Sequence, residues 1–424
     1  MSQLEPSNRH KCSLINFIKL YFDYSYFLCL CPFRFVSDGD RGFITQTWLP
    51  QKVLTGLAHT FSILMLINDL RDKLFQPSKD YNRNPVAYFQ ILDSLFNLAY
   101  KSTLIKRVWW NRQDFLFVFE FIWNRKSLNN TSNIILKPIV VHTLFIFYSL
   151  LAGASLIAGK GFVSSLYEWT PSWWFRRIVA LGRHAFFIDG PLPSKYAPEL
   201  SNITTVEYIL AGLMATGLIS RFILGFFIDL CILSMTLTLW SVIHSFSLSI
   251  QSDSYHKWMS KNYSTLTLTQ NNTKCKSWQS IFYEWDTIRR LSLLINNAMG
   301  SLVIWFLLEA LMYYSVNMDA FLLAKDVFKK SYLFAYYFGT LTIFVFSGNI
   351  CNELEEIKSW LVDDENRKPV GYHDLKLILH EMIEKTIGIR GMGVFTMSYS
   401  SFATFGATIV TFFIICILQQ QTTK

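Results

Sequence analysis

Apolar runs close to the length of a bilayer crossing recur along this chain, and they restrict its fold more than any motif does. A membrane-spanning helix needs about 20 mostly apolar residues. Such runs occupy 49–69, 85–105, 138–158, 203 to about 245, 296–316, 331–350 and 399–418. Composition agrees. Only 16% of the 424 residues are charged, 51% are hydrophobic and 17% aromatic, and mean hydropathy is +0.27. A soluble domain carries about 25% charged residues. The expectation is an all-α membrane protein with seven transmembrane helices, embedded in a lipid bilayer. Segment 172–188 (SWWFRRIVALGRHAFFI) is apolar as well, but Arg176, Arg177 and Arg183 would be costly at mid-bilayer. An interfacial helix suits it better.

Seven crossings put the two termini on opposite sides, and Lys and Arg choose between them. The segment before the first span and the second, fourth and sixth loops carry 23 Lys and Arg. The opposite side carries 13. That bias predicts a cytoplasmic N-terminus and an extracellular C-terminus. It also accounts for the net charge of +9 without nucleic acid as a partner. The polar start at 1–10 is not followed by a short apolar segment with a small-residue cleavage site, so no removable signal peptide is expected. The sequon at Asn202 falls outside in this topology and is the one expected to be glycosylated. Those at Asn129, Asn130, Asn262 and Asn271 fall inside.

Motif chemistry is sparse. Seven scattered cysteines make a poor disulfide framework, and Cys29 and Cys31 are too close for a metal knuckle. His380-Glu381-Met-Ile-Glu384 lacks the second histidine of a zinc-protease helix. There is no P-loop, no dinucleotide-binding glycine pattern and no G-x-S-x-G. The reading is therefore not an enzyme, with no cofactor and no metal. Asn84-Pro85-Val86-Ala87-Tyr88 spells the NPxxY of G-protein-coupled receptors. Here it opens the second span on the outer side, where Asn-Pro is an ordinary helix start. A seven-span receptor acting through a cytoplasmic partner, or a transporter, stays as the alternative. No internal repeat of the kind transporters show is visible.

The connection between the last two spans carries more. It holds two charged amphipathic segments, about 350–362 and 372–386, then GIRGMGVFTM, whose Gly388, Gly391 and Gly393 permit sharp redirection. SWQSIFYEWDTIRRLSLLINNAMG leads into the fifth span as another helix, and LINFIKLYFDYSYFLCLCPFRF forms an apolar helix ahead of the first. Helices that mix Leu, Ile and Trp with Lys and Glu want a partner. The arrangement resembles the insect gustatory receptors, of the superfamily they share with the odorant receptors, over most of the chain. That family ends in Gly-x-Phe, then Thr-Tyr, five hydrophobic residues and Gln-Phe. This chain has Gly393-Val-Phe395, Thr411-Phe412, FIICI and Leu418-Gln419. Phe412 replaces Tyr, and Leu418 and Gln419 stand where Gln and Phe are expected. Phe413 replaces the Glu of sugar-type members, which points to the bitter-type group or an orphan.

The resemblance implies a ligand-gated, nonselective cation channel for a small-molecule tastant. It implies a homotetramer or a mixed tetramer with related receptor subunits. The parts would be an N-terminal cytoplasmic segment (1–46), spans one to six with a ligand pocket and a long cytoplasmic loop at 246–295 (47–350), cytoplasmic anchor helices (351–397), and a pore-lining seventh helix with a short outer tail (398–424). On that last helix Thr411, Ile415 and Leu418 share a face, at spacings of four and three. Facing the axis, Ile415 and Leu418 would form apolar rings able to close a pore by dewetting. Gln419 to Gln421 would offer amides at the mouth. Acids within the spans, Asp93, Asp229 and Glu309, are expensive and belong beside a cavity. With Tyr88, Trp305, Tyr313, Tyr314, Tyr336 and Tyr337 they suit a small, partly apolar ligand.

Overall fold

The computed structural model describes residues 13–37, 43–75, 85–124, 204–262, 278–323, 327–365 and 387–422, with single residues 143, 146, 147, 150, 179 and 380. Most of the third span, of the interfacial segment 172–188 and of 372–386, together with Asn202, lies outside these residues. Among the described residues the protein is helical apart from two short hairpins. The helices are α1 (Ser13–Phe27), α2 (Leu49–Phe75), α3 (Pro85–Trp110), α4 (Arg112–Asn124), α5 (Thr205–Asn262), α6 (Trp278–Leu323), α7 (Val327–Glu365) and α8 (Tyr399–Thr422). Strands β1 (Arg34–Ser37) and β2 (Phe43–Gln46) pair antiparallel, with Arg34 opposite Gln46. So do β3 (Arg390–Gly391) and β4 (Phe395–Thr396), with Gly391 opposite Phe395.

Three of these helices contain stretches long and apolar enough to cross a membrane: Leu49–Leu74, Ile223–Ile250 and Phe282–Asn317. A shorter apolar stretch covers Tyr399–Ile415. The expected spans 85–105 and 331–350 are helical throughout, within α3 and α7. Asp93 and Lys101 interrupt the apolar run of α3.

Helix length departs from the simple reading. At 1.5 Å rise per residue, the 58 residues of α5 span about 87 Å. The 46 of α6 span about 69 Å and the 39 of α7 about 58 Å. A hydrocarbon core is about 30 Å thick, so these helices continue well beyond it. The amphipathic segment expected at 350–362 is thus the far end of α7, not a separate helix. The segment leading into the fifth span is likewise the beginning of α6.

Helix α5 runs through the centre. From Leu224 to Leu239 it is buried on almost every side, as expected of a helix apolar all round. The hydroxyls of Ser234, Thr236 and Thr238 stay satisfied by donating to carbonyls one turn back. Its start is a capping box. The Thr204 N–H donates to Glu207 Oε2 at 2.7 Å, and the Glu207 N–H donates to Thr204 Oγ1 at 3.4 Å. Against α5 pack α2, α7, α6 and α1. The opposite side of α2 is bare: Leu49, Val53, Leu54, Leu57 and Ile67 are exposed, an apolar flank for lipid. An aromatic cluster of Phe22, Phe33, Phe35, Phe115 and Phe119 locks α1, β1 and α4 together.

Candidate functional site

Helix α8 is held at its first turn and bare along one face. The β3–β4 hairpin delivers it. Met392 and Gly393 are both left-handed, at φ 48° and 77°, and reverse the chain at the tip. The hairpin lies flat on α6. Asn296 Oδ1 accepts the Arg390 N–H at 2.8 Å, and Asn296 Nδ2 donates to the Gly388 carbonyl at 2.8 Å. The Met392 N–H donates to the Gly300 carbonyl at 3.2 Å. A Cβ on Gly300 would sit 3.2 Å from both Arg390 O and Met392 N, so that glycine permits the approach.

Helix α8 then begins with a reciprocal cap. The Ser398 N–H donates to Ser401 Oγ at 2.6 Å, and the Ser401 N–H to Ser398 Oγ at 3.3 Å. Next comes a clasp to α7: Tyr399 OH donates to Asn349 Oδ1 at 2.6 Å, and the Tyr399 ring lies against Gly348.

Beyond the clasp, Phe405 and Ile409 are buried and Phe405 packs on Phe344 of α7. Phe412 meets Phe89 of α3 edge to face. The other side is open. Thr411, Ile415 (40% exposed) and Leu418 (56% exposed) lie on it, sharing one stripe as their spacing requires. Thr404 and Thr408 extend that stripe toward the start of α8 at the same four-and-three spacing, a continuation not read from the sequence. The hydroxyls of Thr404, Thr408 and Thr411 each donate to the carbonyl four residues back, at 2.8 to 3.0 Å. The stripe is therefore threonine in its first half and apolar in its second. Gln419 lies on the backbone of the same helix.

The second region is a polar and aromatic cluster among α3, α5, α6 and α7. Tyr336 donates to Glu309 Oε2 at 3.2 Å. Tyr100 donates to Asp229 Oδ1 at 2.8 Å. Tyr314 and Thr340 hydroxyls bond at 3.0 Å. Ring contacts join Tyr313 to Tyr336 and Tyr314 to Tyr337, with centroids 5.1 and 5.4 Å apart. Lys101, only 6% exposed, lies within electrostatic reach of both Glu309 and Asp229.

Nearer the start of α3 a second network forms. Asp69 accepts from Arg221 at 3.0 Å and from Ser94 at 3.2 Å, and pairs with Lys73 at 3.5 Å. Asp93 is in electrostatic reach of Lys73, Arg221 and Lys101, and its Oδ1 is buried with no hydrogen-bond partner among the described residues.

Of the residues singled out from sequence, Glu309, Tyr313, Tyr336 and Tyr337 come together. Trp305 packs on Phe96 of α3, with centroids 6.1 Å apart. Asp93 belongs to the neighbouring network. Tyr88 stands apart, 59% exposed at the start of α3. The cationic partners Lys101 and Arg221 were missed. A basic residue inside an apolar helix was the available signal.

Between the cluster and α8 lies a cavity of about 360 Å³, lined by Tyr314, Asn317, Leu333, Tyr337, Gly406, Ile409 and Val410. Among the described residues no group of three or more acids, histidines and cysteines is placed to hold a metal.

The fold has a known counterpart. The structure of the insect olfactory receptor OR5 from Machilis hrabei superposes with a TM-score of 0.58 at 13% identity, covering 95% of this chain and 97% of that one. The same receptor in complex with eugenol gives 0.59 at 11% identity, covering 96% and 99%. No protein-family model and no curated protein sequence matches the chain. The chain thus shares the fold of that receptor over nearly all of its length.

Proposed function

We propose that this chain is a subunit of a ligand-gated, nonselective cation channel of the gustatory type, opened by small-molecule tastants of the bitter or an orphan class. The observation that carries the reading is the near-complete coverage of the olfactory-receptor fold in both directions. The bare face of α8 agrees with it. A helix clasped at one end, packed on one side and exposed on a threonine-then-apolar stripe is what a pore-lining element needs before its neighbours join. In this reading four subunits, identical or mixed with related receptors, surround an axis in the plasma membrane. Seven spans put the N-terminus inside and the C-terminus outside.

Thr404, Thr408 and Thr411 line the inner conduction path. Ile415 and Leu418 form the dewetting constriction and Gln419 the mouth. The ligand sits by the cluster of Glu309, Tyr313, Tyr336 and Tyr337, with Trp305 and Asp93 at its border. Asn202 carries the glycan. The test is topology and stoichiometry together. Tags read by antibody on intact cells are expected to stain at the C-terminus only, and native mass spectrometry in mild detergent to report four subunits. Surface staining of an N-terminal tag, or a monomer in every detergent and lipid, would overturn the proposal.

A further inference from the structure

We propose that the cavity between α6, α7 and α8 is a second small-molecule site, taking a neutral and mainly apolar molecule with one hydrogen-bonding group, such as a phenol or an alcohol. At about 360 Å³ it falls at the lower end of the range for small-molecule sites. Its wall owes its shape to one residue. A Cβ added at Gly406 would meet nothing within 4 Å, so the missing side chain leaves room instead of permitting a close helix contact.

Leu333, Ile409 and Val410 make the wall apolar. Two polar groups give it direction. Tyr314 OH is already bonded to Thr340, which leaves Tyr337 and Asn317. Asn317 Nδ2 donates to the Tyr313 carbonyl at 2.8 Å, so its Oδ1 is the acceptor available to a guest hydroxyl. Among the described residues no acid or basic side chain lines the cavity, which favours a neutral guest. This separates it from the cluster at Glu309. Val410 is 49% exposed, so the cavity meets the subunit surface beside α8. A molecule seated there touches Gly406, Ile409 and Val410, within a turn of Thr408 and Thr411, and bears directly on the helix proposed to line the pore.

The test uses the full-length protein in phospholipid nanodiscs, with thymol as the probe and p-cymene as the same skeleton lacking the hydroxyl. Binding is read by titration calorimetry, independently of any current. Thymol is expected to bind once per subunit, and p-cymene about tenfold more weakly for want of its hydrogen bond. Gly406→Leu fills the cavity and should abolish binding. Tyr337→Phe and Asn317→Leu should reduce the preference for thymol over p-cymene. Val410→Phe narrows the same cavity from its exposed edge and serves if Gly406→Leu does not fold. Thymol binding unaltered by both filling variants overturns the proposal. So does a phospholipid that native mass spectrometry finds retained by the wild type and lost from Gly406→Leu while thymol fails to bind. A protein that binds thymol through Gly406 and conducts no ions keeps this site and loses the channel reading.

Discussion

The clasp between α7 and α8 makes a prediction whose size follows from the coordinates. A Cβ on Gly348 would lie 2.8 Å from Cδ2 and Cε2 of Tyr399 and 2.9 Å from Cγ. Carbon atoms pack at about 3.5–4.0 Å, so in Gly348→Ala the ring must retreat by about 1 Å. A comparable shift of the hydroxyl stretches its 2.6 Å bond to Asn349 Oδ1 past about 3.5 Å, where it ceases to be a hydrogen bond. The loss is about 0.5–1.5 kcal/mol. If movement of α7 reaches α8 through this contact, that energy is withdrawn from coupling, and 1.4 kcal/mol is a factor of ten in an equilibrium constant. Ligand-evoked current in Gly348→Ala should therefore need about three- to tenfold more ligand at unchanged surface expression. Tyr399→Phe, which deletes the hydroxyl and so loses the same hydrogen bond, should shift the same way by a similar factor. Concentration–response curves from cells expressing each variant decide the matter. Wild-type curves for both variants would refute the claim that this clasp links the two helices.

Other consequences are briefer. Leu418→Ser should wet the constriction and raise ligand-free current, whereas Cys416→Ser should leave basal current near wild type, and a charge at Gln419 should alter reversal potentials in mixed-cation recordings. Gly217→Ala places a Cβ 2.5 Å from Phe61 Cβ and 2.9 Å from its backbone carbonyl carbon, where α5 crosses α2. Helix backbone cannot swing aside, so a cost of about 1–3 kcal/mol is expected as a lower melting temperature in detergent. Lys101→Met strips the buried amine from beside Glu309 and Asp229 and should lower the melting temperature in the same assay; adding Glu309→Gln should recover part of that loss.

The sequence made the helices legible where apolar runs carry the signal. The runs at 49–69, 296–316 and 399–418 lie within α2, α6 and α8 as expected. It did not reveal where helices end, because α5, α6 and α7 continue into polar sequence with no proline or glycine to stop them. The glycines in GIRGMGVFTM marked a redirection, and a hairpin with left-handed Met392 and Gly393 supplies it. The β1–β2 hairpin went unread, since strands of four residues offer too little alternation to register. In the candidate site, the stripe on α8 was readable because helical spacing alone fixes which residues share a face. Its packing against Phe89 and Tyr399's grip on Asn349 were not, because those partners are distant in sequence. The same holds for the pairing of Asp69 with Arg221, 152 residues away. Tyr88 was grouped with the cluster on residue type, and its place at the start of α3 leaves it exposed.

The central claim is that this chain forms the conduction path itself. Purified protein alone, reconstituted into a planar bilayer, tests it most directly by single-channel recording under a panel of bitter and apolar tastants in asymmetric sodium and potassium chloride. Discrete cation currents are expected that appear with a tastant, reverse near the potential of a poorly selective cation pore, and become ligand-independent in Leu418→Ser. A bilayer that stays silent for wild type and Leu418→Ser alike, with folded tetramers present in it, would contradict the account.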